Sequence, residues 1–291
     1  MVLKDREVVV TGGAGFIGSH VVDALVEEND VTVVDNLSAG SKELVNPKAD
    51  FEKVDVRNKD DLKPVMKDSE VVFHFAADAR TRSNNIGWDN PVENAEINAI
   101  GTLNLLRAVD ELDIDPKVVF ASSAAVYGPP ENPPIDEEHP KNPVSPYGIH
   151  KLAGEKYMRA FNSERGLDTS SIRIFNTYGP RQLRYVMYDF LKKLQKDNSV
   201  LEVLGTGRQV RDYCYIDDTV EAFLTVAENG EPGEEYNVSG ENVISIGELA
   251  ELIIDLTGLD AEIEYTEESW EGDISRLEAD ISKIKKLGFE P

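Results

Sequence analysis

A chain of 291 residues, 41% of them hydrophobic, is long enough to bury a substantial core in one large domain or two modest ones, which excludes a disordered polypeptide. Lys and Arg total 30 against 55 Asp and Glu, a net charge of −25, and such a surface repels phosphate backbones and anionic lipid, so neither nucleic acid nor a membrane is an expected partner. The single cysteine, Cys214, excludes an intrachain disulfide, and His20, His74, His139 and His150 lack metal-ligand spacing, so no metal is expected.

The stretch from Met1 to Val10 has neither the apolar run of a leader nor a membrane span, and with the sparing use of cysteine this predicts a cytoplasmic protein. The acidity fits an ordinary cytosolic protein or one adapted to high intracellular salt, where screening weakens self-repulsion; the second is favoured.

Short β-branched runs predict strands over 7–10, 31–35, 51–56, 71–75, 117–121 and 169–174. Amphipathic spacing predicts helices over 16–28, 92–111 and 147–164 between several of them. This alternation points to an α/β fold, a Rossmann-type doubly wound parallel sheet over 1–175, with its ligand beyond the carboxyl ends of the strands. A smaller substrate-binding lobe is expected over 176–291, with helices at 186–196, 217–228 and 246–257, and the boundary is interleaved because 169–174 still belongs to the first sheet.

The first strand runs straight into Thr11-Gly12-Gly13-Ala14-Gly15-Phe16-Ile17-Gly18 and then a helix. Glycines there let the backbone turn tightly and approach a pyrophosphate, whose charge meets the free N–H groups of the helix start. Asp35, closing the next strand, is placed to accept from an adenosine ribose and to repel a 2′-phosphate, so NAD is expected over NADP. Asp55 is placed to reach the adenine amino group, although a solvated strand-end carboxylate fits as well. Phe75-Ala76-Ala77 would let a cofactor lie close to the backbone, or simply pack the core.

Ser122-Ser123 follows the fifth strand, and Tyr147 and Lys151 lie four apart on one face of a helix. An ammonium and a positive nicotinamide would lower the phenol from about 10 toward neutrality, making Tyr147 a general base while Ser123 orients a substrate hydroxyl.

These residues, with Asp35-Asn36-Leu37, Asp55-Val56, His74-Phe75-Ala76-Ala77, Asn98 before Gly101-Thr102, the segment from Arg173 to Arg181 and that from Gly207 to Asp218, resemble the extended short-chain dehydrogenase/reductase family. Within it they resemble the NAD-dependent nucleotide-sugar epimerases typified by UDP-glucose 4-epimerase. The resemblance implies cofactor contacts at Gly12, Gly15, Phe16, Ile17 and Gly18, around Asp35 at Asn36, Leu37, Ser38 and Gly40, and at Asp55, Val56, Phe75, Ala76, Ala77, Asn98, Tyr147, Lys151 and Phe175. It implies substrate contacts at Ser123, Asn176, Arg211, Asp273 and Leu277, Arg211 pairing with the diphosphate.

Dehydratases and decarboxylases of this family carry extra acid groups where this chain has Ala124 and Ala125. The implied chemistry is therefore oxidation of a UDP-linked sugar at C4, turnover of a transient 4-keto sugar and reduction on the other face. A dehydratase or decarboxylase is the alternative on the same scaffold, and a non-catalytic NAD-binding regulatory protein the alternative of another class. Trp270 stands where relatives carry a diphosphate-binding arginine, and Leu277 falls at a position beside the sugar C2 substituent, where a residue smaller than tyrosine resembles enzymes that admit N-acetyl groups. A homodimer through helices 92–111 and 147–164 is also expected, because Ile97, Ile100, Leu103, Leu106 and Val109 exceed one buried stripe.

Overall fold

The computed structural model describes residues 3–79, 87–266 and 274–291. The first part of the chain forms β1 (Glu7–Thr11), α1 (Phe16–Leu25), β2 (Asp30–Val34), β3 (Asp50–Glu52), α2 (Lys59–Met66), β4 (Val71–His74), α3 (Pro91–Ala95), α4 (Gly101–Leu112), β5 (Lys117–Ser123), α5 (Pro146–Arg165) and β6 (Thr169–Ile174). The remainder forms β7 (Asn176–Tyr178), α6 (Val186–Lys196), β8 (Val200–Val203), β9 (Val210–Tyr215), α7 (Ile216–Asn229), β10 (Glu235–Val238), β11 (Asn242–Ser245), α8 (Ile246–Thr257), β12 (Glu262–Tyr265), β13 (Arg276–Leu277) and α9 (Ser282–Lys285).

Seven strands make one parallel sheet in the order β10-β6-β5-β4-β1-β2-β3. Its central strands β1, β4 and β5 are apolar on both faces because both are covered. In β1, Val8 and Val10 face α1 and α7, whose Val21, Val22, Leu25, Ala222, Phe223 and Val226 complete that core. Val9 turns to the opposite core with Leu62 of α2, Leu105 and Val109 of α4 and Met158 of α5. The order reverses between β1 and β4, which opens a crevice at the carboxyl ends of those two strands.

A second, four-stranded sheet is built around β9, with β11 antiparallel and β7 and β13 parallel to it. The β8–β12 pair and helices α6 and α8 enclose a small core of Phe190, Leu194, Leu201, Val203 and Leu249.

Several local differences from the sequence reading have physical causes. Helix α1 stops at Leu25, short of Glu28, because the Asn29 amide donates to the Leu25 carbonyl at 2.9 Å and turns the chain toward β2. Strand β3 ends at Glu52, so Asp55 sits in the following turn, where its carboxylate accepts from the Arg57 backbone N–H at 2.9 Å. Strand β5 runs on to Ser123. Between α3 and α4 the helix carries a π segment, Glu96–Ile100, of the kind found at functional sites. The helical apolar count also resolves differently: Ile97, Leu106 and Val109 are buried within the monomer, and Ile100 is exposed.

Candidate active site

The glycine turn lines the crevice. Gly12 has φ +72°, and a Cβ there would meet the Ala76 nitrogen at 2.6 Å; a Cβ on Gly18 would meet the Gly12 carbonyl at 2.4 Å. The turn is thus closed over by backbone on both sides, and Gly15 leads into the first turn of α1, Phe16, Ile17 and Gly18, whose N–H groups have no acceptor within the helix. This cradle, which any side chain would fill, fits a dinucleotide pyrophosphate.

Asp35 is buried at the end of β2. One carboxylate oxygen accepts from the Ala14 N–H at 3.2 Å and the other from Leu37 N–H at 2.7 Å, holding Leu37 at φ +61°. Ser38 N–H donates to the Asn36 side chain at 2.9 Å, and Gly40 packs so close that a Cβ would lie 2.6 Å from the Ala14 carbonyl. Asp55 accepts from the Asn36 amide at 2.8 Å and from the Arg57 guanidinium at 2.7 and 2.9 Å, and this pairing holds its carboxyl well below the usual range. Val56 beside it is buried against Gly101.

The β4 side is set by His74. Its Nε2 lies 3.0 Å from the Thr102 hydroxyl, which donates to the Asn98 carbonyl, so Nε2 carries the proton. Nδ1 then accepts from Thr11 at 2.6 Å, and burial pushes the imidazole down to about 3, keeping it neutral. Phe75 turns its ring onto Phe223 at 4.5 Å, leaving the backbone of Phe75, Ala76 and Ala77 along the crevice. Asn98, on the π segment, does not project freely: its amide accepts from Asp78 N–H and donates to the Asp78 carbonyl, both at 2.9 Å, so it fastens this strand-end loop.

The capping serine Ser145 and Pro146 start α5 so that Tyr147 stands in its first turn. Lys151, one turn on and 2% exposed, donates to the Ala121 carbonyl at 2.7 Å, and its ammonium lies 5.8 Å from the Tyr147 ring centre. Burial pulls Lys151 down to about 7. The Ser123 hydroxyl, which accepts from Ala125 N–H at 3.2 Å, faces the phenol and favours its ionisation, as does Arg184. Burial and Tyr185 outweigh both, and the phenol is pushed up rather than toward neutrality. The three residues therefore converge as the sequence predicts, but the lowered phenol does not appear in the protein alone.

On the substrate side, buried Phe175 lies 6.4 Å from the Tyr127 ring at the end of β6. Asn176 donates to the Asp212 carbonyl at 2.9 Å, and Arg211 donates to the Ile274 carbonyl at 2.7 Å. Leu277 is half-buried on β13. Trp270 and Asp273 lie outside the described residues.

Sequence reading missed Arg184 and Tyr185, which act on Tyr147 from the loop before α6; no motif marks them. It also missed Glu155, although Tyr147, Lys151 and Glu155 form a visible series of fours on one helix face.

Residues 8–239 match the model of the NAD dependent epimerase/dehydratase family. A Methanocaldococcus jannaschii protein provisionally named a UDP-glucose 4-epimerase is 43% identical over 98% of this chain and 93% of its own. The solved UDP-N-acetylglucosamine 4-epimerase from Methanobrevibacter ruminantium, in complex with UDP-N-acetylmuramic acid, is 36% identical with TM-score 0.92 over 99% of this chain and 94% of that one. UDP-glucuronic acid decarboxylase 1 of Xenopus tropicalis is 34% identical over 99% of this chain and 69% of its own. With its reversed parallel sheet, its backbone cradle and its Ser-Tyr-Lys group, the chain belongs to the NAD dependent epimerase/dehydratase family and is an NAD-dependent enzyme of the extended short-chain dehydrogenase/reductase type.

Proposed function

We propose that the enzyme epimerises a nucleotide sugar at C4, with UDP-glucose and UDP-galactose as substrates and the N-acetyl forms alongside them. The observation that carries this reading is the convergence of Ser123, Tyr147 and Lys151 at the crevice with Ala124, a buried methyl, and Ala125 beside them instead of acids. Bound NAD supplies reversible two-electron oxidation of the sugar carbon. Tyr147 takes the proton of the 4-hydroxyl and later returns it, Ser123 orients that hydroxyl, and the buried Lys151 ammonium favours the phenolate. Asn176 and Arg211 hold the diphosphate while the 4-keto sugar turns over. The roles of Asp35 and Asp55 at the adenosine, of Phe175 at the nicotinamide and of Leu277 at the sugar wall complete the assignment.

The active form is a homodimer, formed through Val92, Ile100 and Ile149, which are 67, 44 and 50% exposed on α3, the π segment and α5. Light scattering at micromolar concentration tests it, a monomer overturning it.

Incubation with NAD and a panel of UDP-, dTDP- and GDP-sugars, followed by NMR of the products, tests the reaction. C4 epimers are expected; a 4-keto-6-deoxy sugar or a pentose product would replace this reading with dehydration or decarboxylation.

A further inference from the structure

Helix α5 carries a third polar residue on the face that presents Tyr147 and Lys151. Glu155 is 1% exposed, and its carboxylate is fully engaged. One oxygen accepts from the Ser122 hydroxyl at 2.6 Å and from Arg173 Nε at 2.9 Å; the other accepts from Arg173 Nη2 at 2.9 Å. Arg173, also 1% exposed, is the register partner of Ser122 across β5 and β6, and it reaches on to the Tyr127 hydroxyl and the Glu137 carbonyl, both at 3.0 Å. Tyr127 in turn donates to Asn237 of β10 at 2.6 Å.

A buried ion pair contributes little net stability compared with an apolar pair of the same volume, since both charges lose their water. What this one does is join three elements of the site. Ser122 immediately precedes Ser123, Glu155 is one turn beyond Lys151, and Arg173 lies two residues before Phe175. The pair also shapes the charge around Lys151. On its own helix that ammonium has Tyr147 and Glu155, while neighbouring His150 is turned to Asn94 at 2.8 Å. From β5 it meets the Ala121 carbonyl and the Phe120 ring at 4.7 Å, and from β4 the neutral His74. Beyond Glu155 stand Arg173, with Glu235 at 3.9 Å, Glu137 and Lys141. Burial drives Lys151 toward its neutral form and the charge of Glu155 opposes this.

Resting on the assignment of Tyr147 and Lys151 as catalytic, we propose that Glu155 is a positioning residue of the reaction: clamped by Arg173 and Ser122, it keeps Lys151 an ammonium in a dry site and holds the Ser123 end of β5 to α5. Arg173 limits the effect by balancing the carboxylate.

The test is the pH dependence of kcat/KM for Glu155→Gln, Glu155→Asp and the double variant Glu155→Gln/Arg173→Met, with Tyr147→Phe as control and NAD affinity and Tm measured on each. Removing the carboxylate charge makes the ammonium easier to deprotonate, so the alkaline limb moves to lower pH, by about one unit for a tenfold change in proton affinity. Glu155→Asp keeps the charge and restores the limb even if kcat falls. The double variant removes both charges together and leaves no unpaired buried ion if the single variant does not fold, its limb displaced in the same direction but by less, since the opposing Arg173 charge goes too. A merely structural Glu155 would lower Tm and leave the limb of the surviving activity in place, and that result overturns the proposal. An active Tyr147→Phe would instead overturn the catalytic assignment beneath it.

Discussion

Leu277 stands directly opposite Arg211, its register partner in the parallel β13–β9 ladder, although 65 residues separate them in the sequence. A proposed sugar-wall residue and a proposed diphosphate cation are thus fixed to one another by backbone pairing. A larger side chain at 277 must be accommodated beside Arg211 or project into the sugar space. Leu277→Tyr is expected to depress kcat/KM for a UDP-N-acetylhexosamine by about 10–100-fold, the scale of overfilling a packed site, and to spare the plain hexose. Equal losses on both sugars, or no wild-type activity on the N-acetyl form, would remove Leu277 from the wall.

Tyr147→Phe keeps the ring at the start of α5 and deletes only the oxygen. Turnover should fall by about 10²–10⁴-fold with NAD affinity preserved, as measured by isothermal titration alongside initial rates.

Cofactor choice turns on Asp35. With its carboxylate fixed at the β2 end by the Ala14 and Leu37 N–H groups, it cannot swing away from a 2′-phosphate. NAD should bind at least tenfold more tightly than NADP, the ordinary scale for an unrelieved like-charge contact, and Asp35→Asn should narrow the gap. Equal affinities for the wild type would sink this placement.

How far the site could be read from sequence depends on whether chemistry follows spacing. The glycine turn, Asp35 and the Tyr147–Lys151 pair are local patterns, and β6 and α6 fall over 169–174 and 186–196 as their β-branched run and 3.6-residue spacing predict. The fastening role of Asn98 was not legible, because a π segment has no sequence signature and it redirects the amide onto Asp78. The Glu155–Arg173 pair joins residues 18 apart, from a helix and the strand that follows it, and no spacing rule links the two, so only the folded register reveals it. The depressed phenol failed for a different reason: desolvation at Tyr147 is a property of packing, and it opposes the charges that spacing suggests.

Stability should fall in mild acid through His74. Its imidazole is held neutral with a folded value of about 3 against an ordinary 6.5, so between these pH values the unfolded chain binds the extra proton and unfolding is favoured as pH drops. The contribution is complete above about 6.5 and is lost progressively toward 3, with a slope of at most about 1.4 kcal/mol per pH unit from this one group. Chemical denaturation of the wild type and of His74→Gln at pH 7 and 5 checks it. A wild-type slope no steeper than that of the variant contradicts it.

The net charge of −25 predicts that Tm rises as KCl is increased from 0.1 M to 2 M, because screening shortens the reach of repulsion from about 10 Å to less than 3 Å. A Tm that stays level or falls over this range would mean that the acidic surface carries no adaptation to salt.

Strand β10 completes the seven-stranded sheet from residues 235–238, long after the rest of that sheet has been made. During synthesis the edge of β6 must therefore wait, unpaired, while α6, β7, β8, β9 and α7 emerge. Only when Asn237 arrives does the Tyr127 hydroxyl gain its acceptor and the Glu137 carboxylate its backbone donor. A ribosome-bound chain halted before residue 235 would present an open strand edge, the template on which chains aggregate.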